Sequence, residues 1–495
     1  MPYKDMREWI NSLEDRGLVR RIKTEVNWDR EIGAIVRKVN SQEGPALLFE
    51  NIKGYKNTAC ERLFTNGLGS RERIALSIGL PRNASYRELV QTVKERLAQP
   101  VDSVIVNSGP VKENIIKGSA INLEEFPVPK WHHLDGGRYI NTACSVVTRD
   151  PETKELNVGT YRGMITGRDT IGVLLASTQH WGMHFAKYRK KGLPMPVAVI
   201  YGWDPALFMV SSTAVQHRGK ISEFELAGGL RQAPTELVKC ETSDLLVPAS
   251  AEMVVEGRIS PDPATFTKEG PFGEYPGYFG GMESLKPSIK VDCITHRNDP
   301  IFRGLLEGNS PGHLSEDGYY LAVSWAAAAW NILEAIGVPG VVGVWSKQVT
   351  DNTVLRVQIR KSYRGHAKQV ANALWGSPIA NYAAKMLIVT DEDIDIFDDE
   401  AVEWALAYRV NADMGDISFF SGTFGSMLDP SVPLAQRDVA KYGQGKWCRV
   451  LIDATINWEL EIEAQYGGSR YPALATEVDP ESAALVEKRW KEYGI

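Results

Sequence analysis

The chain has 495 residues, of which 43% are hydrophobic and 24% are charged, and its formal net charge is -6. This composition is typical of a globular protein with material for about three domains and their cores. The small negative charge and the scattered basic residues argue against nucleic acid or an anionic membrane as a partner.

The positions of the cysteines and the lengths of the apolar runs indicate the cellular compartment. The five cysteines are far apart and form no Cys-x-x-Cys pair, which argues against a disulfide framework and against metal sites built on paired cysteines. The first residues predict an amphipathic helix instead of an apolar signal core, and no apolar run approaches the ~18 residues of a membrane span. We therefore expect a cytoplasmic protein without a membrane span.

Two regions are predicted in the first 305 residues. Residues 1–115 are predicted to form a small α/β domain, because apolar residues at helical spacing predict helices over residues 4–17 and 83–97. In residues 116–305, strand-like runs joined by glycine-rich connections dominate, with one inserted helix predicted at 181–190. Many short strands of this kind favour a β-barrel or a sandwich.

Residues 306–495 return to alternating helices and strands, the pattern of an α/β domain. An alanine-rich helix is predicted from 319 to 336, where Gly337 ends it. The last helix is predicted with Asp479 as its N-cap and carries an exposed Trp490. Its apolar face is either an oligomer contact or packs on its own domain.

Two glutamates, Glu269 and Glu274, are separated by Gly270-Pro271-Phe272-Gly273. Glycine and proline exclude a regular helix here, so the segment is a tight connection that can aim two carboxylates at one point. Carboxyl groups that share a pocket repel each other's charge, which raises one pKa and suits an enzyme that needs a general acid. Taken alone, the segment favours a surface loop with two solvated glutamates.

Further segments carry groups that suit a bound ligand. The side-chain carbonyl of Asn157 is an acceptable ligand for a hard cation, and Arg162 can clamp a carboxylate. His180 ends a strand and opens the inserted helix, four residues before His184. The HExxH order is absent, which excludes the zincin interpretation.

Glu223 and Glu225 alternate with apolar residues, so one of them can face a site while the other faces solvent. Together, glutamate, histidine and asparagine form an oxygen and nitrogen site that suits Mn²⁺ or Mg²⁺ better than zinc.

The order and spacing of these segments resemble the UbiD-like decarboxylases, which use prenylated flavin mononucleotide, and the resemblance runs through nearly the whole chain. Its motifs are Asn157-x-Gly-x-Tyr161-Arg162, Gln179-His180, Ser211-Ser212, Glu223 before Ala227-Gly228, Glu269-Gly-Pro-Phe-Gly-Glu274, Lys385 ahead of the acidic run 391–395, and Lys446-Trp447 ahead of Asp453-Ala454-Thr455.

The resemblance implies a catalytic Glu–Arg–Glu set that maps onto Glu269, Arg162 and Glu274. We expect Glu274 to protonate the carbon that CO₂ leaves, Arg162 to orient the substrate carboxylate, and Glu269 to tune Arg162 and relay protons. The prenylated flavin is expected to act as the electron sink.

The resemblance also implies a metal site. A divalent metal, usually manganese, is expected on Asn157, His180 and Glu223, with a potassium ion near Ser211 and Ser212. Cofactor contacts are expected from Asn157, Thr160, Tyr161, Arg162, Gln179, His180, Ser211, Ser212, Glu223 and Lys385. Glu225 stays an alternative to Glu223, because the loop after Ser212, which contains His217 and Arg218, leaves the spacing open.

The implied fold is an N-terminal α/β domain, a flavin-reductase-like split β-barrel that binds the cofactor, and a C-terminal α/β domain with a terminal helix that helps to form a homodimer. The implied activity is reversible decarboxylation of an aromatic, heteroaromatic or α,β-unsaturated acid, with a flavin prenyltransferase as the source of the cofactor. Pocket walls are expected at 309–313 and 423–428. A subunit of a multi-subunit carboxylase and a plain flavin oxidoreductase stay open as alternatives.

Overall fold

The computed structural model of the protein describes residues 3–214, 221–437, 441 and 445–495. The N-terminal region is built on a four-stranded sheet with the strand order β1–β2–β3–β20. Ser85 starts the fourth helix with a capping box that it shares with Glu88. The elements are α1 (Met6–Glu14), β1 (Val19–Ile22), α2 (Glu31–Asn40), β2 (Ala46–Phe49), β3 (Arg62–Thr65), α3 (Arg71–Ser77), α4 (Tyr86–Leu97) and the later strand β20 (Ile301–Arg303).

The central region is a nine-stranded sheet that curls into a half-barrel. A β-bulge between Glu256 and Gly257 interrupts the pairing of two long strands of this sheet, and bulges of this kind increase the local twist. The sheet strands are β5 (Asn114–Lys117), β6 (Tyr139–Asn141), β7 (Cys144–Arg149), β8 (Leu156–Gly159), β9 (Gly163–Gly167), β10 (Thr170–Val173), β11 (Met195–Tyr201), β14 (Met253–Ile259) and β19 (Ser288–His296).

Smaller elements surround the half-barrel. A three-stranded sheet contains β4 (Val104–Ile105), β12 (Glu236–Lys239) and β13 (Leu246–Pro248). Two short hairpins pair β15 (Thr267–Glu269) with β18 (Ser284–Lys286), and β16 (Phe272–Gly273) with β17 (Phe279–Gly280). The helices of this region are α5 (His180–Lys190), α6 (Pro205–Ser211) and α7 (Glu223–Arg231).

The C-terminal region is a five-stranded sheet with the order β21–β22–β23–β25–β24. The long helix α8 is rich in buried alanines, whose small side chains let it pack closely against α4. The elements are α8 (Glu316–Ile336), β21 (Val341–Trp345), β22 (Val354–Ile359), α9 (His366–Trp375), β23 (Met386–Asp391), α10 (Asp399–Tyr408), β24 (Ile417–Gly425), β25 (Gly445–Ala454) and α11 (Pro480–Arg489).

This architecture confirms the predicted fold class. The domain boundaries at 115 and 305 stay predictions; β20 lies before the second of them, yet it pairs with β3 of the N-terminal sheet. The terminal helix α11 begins after Asp479, as predicted, and buries none of its residues within one chain. Over the described ranges, no helix combines the length and the apolar character needed to cross a bilayer.

Arg449 connects the C-terminal sheet to the loops beside it. Its side chain is fully buried in β25, and its guanidinium donates hydrogen bonds of 2.6–3.1 Å to the carbonyl oxygens of Ala380, Ala383, Ala384 and Phe424. Arg449→Met leaves these four carbonyl groups without their donor. Because each buried bond to a charged group contributes about 1.5–3 kcal/mol, we expect a loss of at least about 3 kcal/mol, measured by denaturant unfolding.

Arg360→Met is the matched control. This arginine pairs with Glu392 on the surface, where both side chains are exposed, so its removal should cost less than about 1 kcal/mol. Equal losses in the two variants would contradict a structural role for Arg449.

Candidate active site

A cleft gathers most of the predicted site residues between the half-barrel and the C-terminal region. Its empty volume is about 1520 Å³, including its open mouth. The predicted residues that line it are Asn157, Thr160, Tyr161, Arg162, Gln179, His180, Ser211, Ser212, Glu223 and Glu274. The cleft therefore brings most of the predicted residues to one place in the structure.

Two predicted residues lie elsewhere. Glu269 is fully buried behind Arg162 and does not line the cleft. Lys385 is not part of the cleft wall that the structure describes; its ammonium group donates to Asp429 at 2.7 Å and to Ser431 at 2.8 Å. This structure therefore does not bring Lys385 to the other predicted contacts.

Arg162 stands in the short connection between β8 and β9 and is shared by two carboxylates. Its Nη2 lies 3.0 Å from Oε2 of Glu269, and its Nη1 bonds Oε1 of Glu274. The ring of Phe272, from the turn between the two glutamates, lies 5.7 Å from the guanidinium carbon. The segment from Glu269 to Glu274 thus brings both carboxylates to one guanidinium, and its Phe272 ring packs against that guanidinium.

Glu269 is held in its ionised form. The hydroxyl of Tyr139 donates to its Oε1 at 2.7 Å, and the ammonium group of Lys286 bonds its Oε2. Burial by itself would raise the pKa of this carboxyl, but the charges of Arg162 and Lys286 outweigh burial and lower the pKa below its usual value.

Glu274 has the opposite tendency. Burial raises the pKa of its carboxyl, and the negative charge of Glu269 raises it further, although Arg162 opposes both effects. The arginine itself stays charged, because the two glutamates raise its pKa more than burial lowers it. The pair is therefore chemically unequal, with one permanent carboxylate and one carboxyl group suited to hold a proton.

A second polar group lies in the same cleft. Oδ1 of Asn157 is 3.1 Å from Nδ1 of His180 at the start of α5. Two ligands of an octahedral ion with ~2.1 Å bonds are separated by roughly 3.0 Å, so this spacing fits a shared metal ion. Within the described ranges, no group of three or more His, Cys, Asp and Glu residues forms a metal site. The pair described here is not such a group, because one of its two ligand atoms is the amide oxygen of Asn157.

The structure separates Glu223 from Glu225. Glu223 lines the cleft, and its Oε2 accepts a hydrogen bond of 2.8 Å from the backbone nitrogen of Val158. Glu225 is engaged in the capping box of α7, where its Oε2 accepts bonds from Ser222, and its Oε1 accepts one from Ser103. His217 and Arg218, on which the alternative depended, lie outside the described residues.

Hydroxyl groups cluster next to this set. The hydroxyl of Thr160 lies 2.9 Å from that of Ser212 and 3.3 Å from that of Ser211. The ring of Tyr161 stacks on that of Trp181 with centroids 4.2 Å apart, which ties α5 to the end of β8. Uncharged oxygen groups of this kind suit a monovalent cation or a phosphate group.

Several residues of the site escaped the sequence analysis. Tyr139 and Lys286 hold Glu269, and three acids, Glu307, Asp317 and Asp351, line the cleft. None belongs to a recognisable motif, because each reaches the site through pairing of segments that are distant in the chain.

Of the expected pocket walls, Met427 and Leu428 line the cleft, as the run 423–428 predicted. Asn309 does not line it and is buried between Asp317 and Asp351, whose carboxyl groups it bonds.

The chain belongs to the UbiD family of carboxy-lyases, as the resemblance predicted. It matches the family's 3-octaprenyl-4-hydroxybenzoate carboxy-lyase N-terminal domain over residues 10–93, its Rift-related domain over 103–310 and its C-terminal domain over 319–454. The protein is thus an enzyme of the carboxy-lyase class.

Individual relatives agree with this assignment. A phenolic acid decarboxylase of Sedimentibacter hydroxybenzoicus is 35% identical over 92% of both chains. The closed form of the vanillic acid decarboxylase of that organism superposes with a TM-score of 0.87, at 34% identity, and covers 100% of this chain and 99% of its own. An evolved dimeric form of the UbiD-class enzyme HmfF from Pelotomaculum thermopropionicum, in complex with prFMN, has a TM-score of 0.75 at 29% identity and covers 97% and 100%.

The inequality of the two glutamates has a consequence for stability. Glu269→Gln should lower the unfolding temperature most at neutral pH, because a carboxyl with a lowered pKa stabilises the fold above its unfolded pKa of ~4.3. The deficit should shrink as the pH falls through the folded pKa of Glu269. Breaking a buried ion pair of this kind costs about 3–5 kcal/mol.

Glu274→Gln should behave in the opposite way. Because the fold raises the pKa of Glu274, the ionised form of this residue weakens the fold as the pH rises. The melting temperature of the variant minus that of the wild type should therefore increase from pH 4 to pH 8. Parallel pH dependence of the two variants in thermal unfolding would contradict the assigned protonation states.

Proposed function

We propose that the protein is a reversible, non-oxidative decarboxylase of hydroxylated aromatic acids that uses prenylated FMN. The observation that carries the proposal is the buried guanidinium of Arg162, held between Glu269 and Glu274 at the wall of a large cleft. The phenolic and vanillic acid decarboxylases among its relatives support the substrate class, and the prFMN complex of HmfF supports the cofactor.

The residues of the cleft fit that cofactor. Asn157, His180 and Glu223 would hold a divalent metal, Mn²⁺ in this proposal, against the cofactor phosphate, since together they supply only one formal negative charge. Ser211 and Ser212 would contribute oxygen ligands to a potassium ion. When bound, the prenylated flavin supplies an electron sink for the loss of CO₂.

The side chains of this chain orient the substrate and move a proton. While Glu274 is protonated, it no longer forms an ion pair with Nη1 of Arg162, and their hydrogen bond is weaker. The guanidinium can then bind the substrate carboxylate. Glu274 then donates its proton to the carbon that CO₂ leaves. Glu269 stays ionised and keeps Arg162 in place. In the direction of carboxylation, Glu274 accepts the proton from the same carbon.

We further propose a homodimer or a higher homo-oligomer in the cytoplasm, with a flavin prenyltransferase as the source of the cofactor. Support for an oligomer comes from α11 and the turn after it, where Leu485, Val486 and Trp490 are 41–53% exposed in one chain. Large apolar side chains exposed close together on one terminal segment favour an interaction site.

Glu274→Gln tests the function directly. In enzyme produced together with prenyl-flavin synthesis, the variant should lose decarboxylation and deuterium exchange of hydroxybenzoic acids by at least ~100-fold, because glutamine donates no acidic proton. Its flavin absorption spectrum should be retained. Release of CO₂ and isotope exchange in a panel of acids are the measurements.

Glu283→Gln is the matched control, since this exposed glutamate precedes β18 and pairs with Lys268 of the same hairpin. It should keep wild-type turnover. Full decarboxylation by Glu274→Gln, or no activity of the loaded wild type on any aromatic acid, would overturn the proposal.

The metal site is tested by His180→Ala, Glu223→Gln and Glu225→Gln. The first two variants should lose both the divalent metal and the flavin, because each removes a ligand. Glu225→Gln should keep both and only lower the melting temperature, because this residue caps α7. The metal content of each purified variant is measured by mass spectrometry. Stoichiometric manganese in His180→Ala, or loss of metal in Glu225→Gln alone, would contradict the assignment of the ligands.

A further inference from the structure

Three acids, Glu307, Asp317 and Asp351, line the cleft and are not used by the mechanism above. They come from the strand-to-helix connection after β20, from α8 and from the turn before β22. This group is called the acid wall below. Carboxyl groups inside a protein normally have hydrogen-bond partners, so their partners show what the wall is built to do.

The hydrogen bonds inside the acid wall are unequal. Asn309 donates from Nδ2 to Oδ2 of Asp317 at 3.1 Å and to Oδ1 of Asp351 at 2.9 Å. The other oxygen of Asp317 accepts a bond from the hydroxyl of Ser315. Asp317 thus uses both oxygens within the protein, which makes it a support for the wall.

Glu307 differs from its neighbours. Across the described residues, the hydrogen bonds of Glu307 go to its backbone oxygen and none reaches its carboxyl, and Asp351 accepts through Oδ1 and not through Oδ2. Arg37 is close, but it donates to the backbone carbonyl oxygens of Glu307 and Gly308, at 2.6 and 2.5 Å, and not to the carboxyl. Arg37 thus fixes the backbone of Glu307 and Gly308, while the carboxyl group of Glu307 can bond a ligand in the cleft.

The acid wall lies beside the proton donor. The backbone nitrogen of Asn309 donates to the carbonyl oxygen of Tyr275 at 2.9 Å, and a Cβ built on Gly308 would lie 3.5 Å from the carbonyl oxygen of Glu274. Arg162, Glu274 and the acid wall line the same cleft, so a substrate whose carboxylate is bound by Arg162 shares the cleft with the wall.

The ionisation of the wall agrees with a role in hydrogen bonding. Burial raises the pKa of Glu307, and the charge of Glu274 raises it further; burial also raises the pKa of Asp317 to about 6. A wall of partly protonated acids repels a second carboxylate and accepts a hydrogen bond from an O–H group.

We propose that Glu307, which lines the same cleft as Asp351, recognises a hydroxyl group on the substrate ring and so selects hydroxylated aromatic monoacids. This inference rests on the proposed function, because Arg162 is taken to bind the substrate carboxylate. An ether oxygen at the same ring position has no hydrogen to donate, so an O-methylated acid leaves the acceptor oxygens of Glu307 without a donor in the cleft.

The test compares the binding of 4-hydroxybenzoic acid and 4-methoxybenzoic acid. Calorimetry on the full chain with FMN in place of the prenylated cofactor makes the readout independent of turnover. The wild type should bind the hydroxy acid at least ~10-fold more tightly, because the methoxy acid leaves the acceptor oxygens of Glu307 without a donor in the cleft. In Glu307→Leu the preference should fall to within about 2-fold, through weaker binding of the hydroxy acid.

Two further variants keep the test decisive if Glu307→Leu folds poorly. Glu307→Gln keeps an acceptor oxygen and should retain most of the preference. Glu316→Gln changes a buried glutamate that bonds Arg303 and the backbone of Leu68 and does not line the cleft; it should keep the wild-type preference. No preference in the wild type, or equal weakening of both acids in Glu307→Leu, overturns the inference.

The outcome separates this inference from the proposed function. If the loaded enzyme releases CO₂ from no aromatic acid while Glu307→Leu abolishes the binding preference, the proposed function fails and hydroxyl recognition stands. If the enzyme decarboxylates hydroxybenzoic acids while the preference is unchanged in Glu307→Leu, only the inference fails.

Discussion

The cleft depends on one guanidinium that two buried carboxyl groups share. Burying ions is costly, and it is tolerated only where charges balance and hydrogen bonds are satisfied. With both glutamates ionised, the positive charges of Arg162 and Lys286 balance those of Glu269 and Glu274. Once Glu274 takes up a proton, the set has one positive charge in excess, which the carboxylate of a bound acid would balance.

This balance explains why the two glutamates differ although they lie in one short turn. Glu269 is ringed by Arg162, Lys286 and Tyr139, which all favour its ionised form. Glu274 faces the cleft with Arg162 as its charged hydrogen-bond partner and with Glu269 as a repelling neighbour. The environments push the two pKa values apart, which is how a carboxyl pair divides its roles.

The fold places three chemistries around one cleft. The connection after β8 and the start of α5 carry the groups that suit a metal and a phosphate, Glu274 follows β16, and the acid wall comes from the connection after β20, from α8 and from the turn before β22. Polar groups from three separate segments therefore line the same cleft. Recognition and chemistry are thus contributed by different parts of the chain.

The sequence by itself determined the fold class and most residues of the site. Capping residues and apolar spacing predicted the helices α1, α4, α8 and α11. The order of the motifs predicted that Arg162, Glu269 and Glu274 lie together, and the structure pairs them. These features depend on local spacing, which a linear pattern retains.

Only the tertiary structure decided which glutamate is suited to hold a proton, because a pKa depends on burial and on partners such as Lys286 and Tyr139 that no motif marks. The tertiary structure also shows that Glu225 caps a helix and that Lys385 bonds Asp429. It places Glu307 in the wall of the cleft. Each of these outcomes comes from contacts between distant segments, and such contacts exist only after folding.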